Sequence, residues 1–119
     1  MCIRDRLKRL RAELRAIPHA RHALTWLRGP KCAASSSARD RIRASLEITG
    51  LARFFDFVFS ACDVPSGKPA PDLFLHAASR MGVQASDCIV IEDSPAGVTA
   101  AVAAVTPAGE SSITMQSEA

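Results

Sequence analysis

Residues 88–104 read Cys88-Ile89-Val90-Ile91-Glu92-Asp93-Ser94-Pro95-Ala96-Gly97-Val98-Thr99-Ala100-Ala101-Val102-Ala103-Ala104. The run Cys88 to Ile91 is continuously apolar, the pattern of a strand covered on both faces. Two acids follow it, then Ser94-Pro95, a helix start with a hydroxyl cap and a proline in the first turn. Small apolar residues carry that last helix from Ala96 to Ala104. The stretch therefore predicts strand, acidic turn and helix, in that order.

Reading outward, the same unit recurs twice. Lys31 to Ala34 is a short apolar strand, Ser35-Ser36-Ser37 a turn, and Arg39 to Thr49 a helix that turns Ile42, Leu46 and Thr49 inward and stops at Gly50. Asp56 to Ser60 alternates aromatic and β-branched residues as the next strand. A proline-containing loop, Asp63 to Pro69, leads to Pro71, which suits the first helical position. The helix it opens faces Leu73, Phe74, Ala77, Ala78 and Met81 inward and ends at Gly82. Three strands alternating with three helices predict an α/β fold with a parallel sheet and right-handed crossovers. Ahead of it, Ile3, Leu7, Leu10, Leu14 and Ile17 form one helical stripe that Pro18 ends, and His19 to Leu27 is a second helix closed by Gly29-Pro30. The expected organisation is a helical segment over 1–28, an α/β core over 29–104, and a polar, frayed tail over 105–119.

Composition narrows the function classes. The chain has 119 residues, 48% of them hydrophobic, and no apolar run long enough to cross a bilayer, so no membrane role is expected. Residues 1–50 hold 12 Lys or Arg against 4 Asp or Glu, and residues 51–119 hold 3 against 8. No aromatics interleave the arginines and no zinc-finger spacing accompanies them, so the basic half is read as a solvated helix face and no nucleic acid is expected as a partner. Cys2, Cys32, Cys62 and Cys88 include no C-x-x-C pair, which suggests reduced, mostly buried thiols in a cytoplasmic protein. His19 and His22 read as a surface pair, and His76 as a packing residue.

In parallel sheets, ligands sit beyond the carboxyl ends of the strands. Ser35 to Ser37 follow the first strand, Lys68 the second, and Glu92 with Asp93 the third. Hydroxyls ahead of a helix offer an anion their own donors and the free N–H groups of the first turn; they serve equally as a turn and a cap. A lysine between two prolines near a helix start repels the positive helix end unless an anion lies between them; it also suits a solvated turn. Adjacent carboxylates are oxygen ligands suited to Mg²⁺, and also favourable partners of a helix dipole. Together the three groups make a phosphate-plus-magnesium constellation.

Ala34-Ser35-Ser36-Ser37, Gly67-Lys68-Pro69-Ala70-Pro71-Asp72 and Val90-Ile91-Glu92-Asp93-Ser94-Pro95-Ala96-Gly97 occur in this order. Over Gly29 to Ala104 they resemble the haloacid dehalogenase (HAD) superfamily, in its branch of sugar-phosphate phosphatases and β-phosphoglucomutase-like enzymes. The resemblance implies a Rossmann-like core and a helical remnant of a cap domain over 1–28. It further implies a Mg²⁺-dependent phosphohydrolase acting on a small phosphorylated metabolite through an aspartyl-phosphate. Ser35 would bind the transferring phosphoryl group, with Ser36 and Ser37 as secondary contacts. Lys68 would neutralise its charge, and Glu92 with Asp93 would anchor Mg²⁺. The family's Asp-x-Asp-Gly segment, whose first Asp is the nucleophile, does not occur in these 119 residues. The expectation is therefore a chain inactive alone, with an open sheet edge through which it self-associates, or a non-catalytic derivative that binds an anion or a partner.

Overall fold

A computed structural model describes residues 2–106. The order of elements is α1 (Ile3–Glu13), α2 (Ala20–Trp26), β1 (Cys32–Ser35), α3 (Arg39–Thr49), β2 (Phe57–Ser60), α4 (Asp72–Met81) and α5 (Pro95–Val105), with short 3₁₀ turns between. The architecture is α/β with a small parallel sheet. Strands β1 and β2 pair in register, Cys32 opposite Phe57 and Ser35 opposite Ser60, so both end on the same rim. The connection through α3 is the crossover a parallel pair requires.

Local chemistry sets the helix boundaries. Gly50 and Gly82, each at φ 71°, close α3 and α4 in the left-handed conformation that glycine adopts without strain. Helix α1 stops at Glu13, short of the expected end at Pro18. The ring of Pro18 would collide with the Leu14 carbonyl in a continued helix, and Leu14 turns extended.

The core gathers Phe59, Leu73 and Ala77, with Cys32, Ala34, Val64 and Met81 packed around them. Leu73 is fully buried, as are Ala100 and Ala101 on α5, which lies against α4. His76 is a packing residue, its ring edge-on to Phe59 at 5.5 Å between centroids. His19 and His22 are both exposed.

Three expectations need correction. Cys88–Ile91 is not a strand: among the described residues the sheet has two strands, and Ile89 and Ile91 are 88% and 79% exposed. A run of apolar side chains becomes a strand only where a neighbour accepts its backbone groups, and among the described residues none bonds the backbone of 89–91. The cysteines are not mostly buried, because Cys2 and Cys62 are exposed and Cys32 and Cys88 only half-buried; all four are free. The last helix runs one residue beyond Ala104, to the buried Val105; the rest of the expected frayed tail, from 107 on, lies outside the described residues. Among these residues no helix is long and apolar enough to cross a membrane.

Candidate active site

The rim where β1 and β2 end is tied together by hydroxyls. Ser60, completely buried, donates its hydroxyl to the Ser37 carbonyl at 2.7 Å, so the loop leaving β1 is fastened to the end of β2. Ser35 Oγ accepts from the Ser37 N–H at 3.2 Å, and Ser36 is exposed. None of the three serines caps α3: its N-cap is Ala38, which makes no side-chain capping bond. The loop is thus held in shape while the first turn of α3 remains uncapped by a side chain.

Lys68 reaches this rim from the loop between β2 and α4. Its Nζ donates to the Ala34 carbonyl at 3.3 Å and to Glu92 Oε2 at 2.5 Å, and it stands 4.9 Å over the Phe74 ring. The Lys68–Pro69 peptide is cis. Only 9% of the lysine side chain and 11% of that of Glu92 is exposed. A cation held by a carbonyl, a carboxylate and an aromatic face has little freedom to leave.

Glu92 is fixed at both oxygens. Its Oε1 accepts from the Asp93 N–H, the Ser94 N–H and the Ser94 hydroxyl, each at 3.1 Å, while Oε2 takes Lys68. Ser94 in turn caps α5, its Oγ accepting from the Gly97 N–H at 3.1 Å. Burial works to raise the Glu92 pKa. The Lys68 hydrogen bond and charge, with the two Ser94 bonds, outweigh it and bring the carboxyl down to about 2. Asp93, next along the turn, is exposed.

The rim therefore unites the end of β1, Lys68 and Glu92, whereas Ser36 and Asp93 sit at its surface. Three residues that the sequence did not assign to the site complete it. Ser60 carries a legible signal: Ser60 and Asp63 cap the following 3₁₀ turn reciprocally, Asp63 accepting from the Ser60 N–H at 2.8 Å. Ser94 before Pro95 was legible as a cap but not as the clamp on Glu92. Phe74, read as an inward core position, gave no sign that it would lie under the lysine.

A second feature lies along β2. An open cavity of about 500 Å³ is lined by Arg39, Asp56, Phe59, Asp63, His76 and Arg80, among others. Arg39 bridges it, donating to the Val58 carbonyl at 2.9 Å and to Asp63 at 2.5 Å. The Arg39 hydrogen bond, followed by that of the Ser60 N–H, lowers the Asp63 pKa.

Residues 3–104 match the family described as haloacid dehalogenase-like hydrolase. The chain belongs to that family. The 6-phosphogluconate phosphatase of Escherichia coli K12 is 33% identical over 92 residues, 76% of this chain and 42% of that protein. Fructose-1-phosphate phosphatase YqaB of the same organism is 44% identical over 77 residues, 65% of this chain and 41% of that protein. A β-phosphoglucomutase-like structure from Thermotoga maritima superposes with a TM-score of 0.79 at 28% identity, over 85% of this chain and 48% of that one. The chain thus spans less than half the length of each of these relatives. As a HAD-like hydrolase, it shares its α/β architecture with an enzyme family that includes phosphatases.

Proposed function

We propose that the chain contributes the phosphate- and metal-binding rim of a Mg²⁺-dependent phosphohydrolase acting on a small phosphate monoester, a sugar phosphate. The carrying observation is the Lys68–Glu92 pair at the end of β1, 2.5 Å apart and little exposed. The names of its relatives support the substrate class: two are phosphatases of sugar phosphates or their acids.

Each residue has a defined task in this reading. Ser35, at the end of β1, binds the phosphoryl group through its hydroxyl, with Ser36 and Ser37 beside it. Lys68 holds a positive charge at the rim, neutralising charge that grows on the phosphoryl oxygens during in-line transfer. Glu92 keeps that ammonium in place. The acids suit a hard cation that prefers oxygen ligands. Asp93 presents an exposed carboxylate, and Glu92 Oε2 has one acceptor position beyond its bond to Lys68. No cluster of three or more His, Cys, Asp or Glu occurs among the described residues, so these two acids would form part of a shell that water and substrate oxygens complete. Bound there, Mg²⁺ would supply charge stabilisation at the phosphoryl oxygens.

The family's chemistry passes through an aspartyl-phosphate, and no Asp-x-Asp-Gly segment occurs in the 119 residues. Turnover by these residues alone is therefore expected to be small or absent. The helices over 1–28 are read as a cap remnant. The four free cysteines suit a cytoplasmic location. The exposure of Ile89 and Ile91 favours a second reading, in which the domain is non-catalytic and binds an anion or a partner chain, such as a second copy that covers these apolar side chains.

The test is to incubate the purified chain with Mg²⁺ and a panel of hexose and hexonate phosphates, following phosphate release and substrate binding separately. Saturable binding without appreciable release, lost in Lys68→Ala, is the expected result. Failure of the folded chain to bind any of them would contradict the phosphate rim. Robust release abolished by Asp93→Asn would contradict inactivity alone.

A further inference from the structure

Gly97 is buried in the first turn of α5, two residues after Pro95. Its backbone is not in the left-handed region, and alanine is the better helix former, so helix geometry gives no reason for a glycine there. The reason lies outside the helix. A Cβ on Gly97 would overlap the Cδ, Oε2 and Cγ atoms of Glu92, deep inside van der Waals contact. Glu92 could retreat only by giving up the bonds that hold its Oε1 to the Asp93 and Ser94 N–H groups and the Ser94 hydroxyl, together with its bond to Lys68. Gly97 supports this clamp a second time, its own N–H donating to Ser94 Oγ.

We propose that Gly97 is a positioning residue: its missing side chain creates the space in which the Glu92 carboxylate lies, and through Glu92 it keeps the Lys68 ammonium against the Ala34 carbonyl at the end of β1. The use of that ammonium in phosphoryl transfer rests on the function proposed above; its placement does not. A side chain at position 97 expels the carboxylate, frees Lys68 and leaves the β1 end without its cation.

The experiment reads lysine accessibility instead of turnover, so its outcome is independent of whether the chain is a phosphatase. Lysines of the parent chain and of Gly97→Ala, Glu92→Ala and the double variant are acylated under native conditions and quantified by mass spectrometry, with exposed Lys8 as the internal reference. Urea unfolding is followed on the same samples. In the parent Lys68 is protected. In Gly97→Ala it loses protection and labels at the rate seen in Glu92→Ala. The unfolding midpoint falls in Gly97→Ala, whereas adding the same substitution to Glu92→Ala leaves the midpoint unchanged or raises it, because the obstructing carboxylate is gone and alanine favours the helix. If Gly97→Ala does not fold, the double variant must fold as Glu92→Ala does; its failure would overturn the proposal. So would Lys68 that remains protected in a folded Gly97→Ala, or an equal loss of stability in both backgrounds.

Discussion

Two short apolar stretches of this chain, Phe57–Ser60 and Cys88–Ile91, end differently although each leads into a polar rim. The first is β2: it pairs with β1 along four residues and buries Phe59 against Leu73 and Ala77. The second leaves Ile89 and Ile91 in solvent, and Glu92 at its end is engaged by Lys68 and Ser94. Hydrophobic composition is similar, but backbone partners are not. At this rim, position is fixed by side-chain bonds on one side and by sheet pairing on the other.

The comparison can be sharpened by removing one contact at a time. Leu73→Ala empties a fully buried position beside Phe59 and should cost about 3 kcal/mol in urea unfolding. Lys68→Met leaves the Glu92 carboxylate without its cation. The expected cost is about 2 kcal/mol at neutral pH, below the range for fully buried pairs because each partner keeps about a tenth of its side chain exposed.

That second effect should depend on pH with a defined sign. The Glu92 pKa is lowered from its ordinary 4.5 to about 2. The pair's contribution is therefore complete above 4.5 and is lost as pH falls towards 2. Unfolding curves of the parent and of Lys68→Met should converge across that interval; curves that stay parallel would mean the carboxylate does not draw its low pKa from the lysine.

Ser94→Ala removes both the α5 cap and one bond to Glu92, and should lower stability by about 1 kcal/mol. At the other end of the scale, Ile89→Ser with Ile91→Ser should shift stability by no more than about 0.5 kcal/mol, since both side chains already face solvent. Sedimentation of the same variant checks self-association: a fall in oligomer content is the outcome expected if these exposed side chains pack against another copy.

Much of this arrangement was legible in the sequence where local rules govern. The glycines at 50 and 82, Pro71 before α4, and Ser94-Pro95 before α5 mark helix ends that the structure places within a residue. The convergence of the β1 end, Lys68 and Glu92 was expected of three strand ends sharing a rim; the structure has them together although the third run is not a strand, because Lys68 bonds both the Ala34 carbonyl and Glu92. The state of Cys88–Ile91 was not, since periodicity reports side-chain polarity and is silent on whether a neighbour accepts the backbone. Nor was the clamp on Glu92. It depends on a carboxylate folding back over the first turn of α5, a long-range consequence of Lys68 and of the space at Gly97 that no single residue announces.

On the function proposed above, the Lys68–Glu92 rim is an anion site with an acidic cation site beside it. Calorimetric titration of inorganic phosphate into the chain in the presence of Mg²⁺ tests it most directly, alongside Lys68→Met and Asp93→Asn. Saturable binding by the parent is expected, with its loss in Lys68→Met and loss of its Mg²⁺ dependence in Asp93→Asn. Equal binding by all three, or none by a folded parent chain, would contradict it.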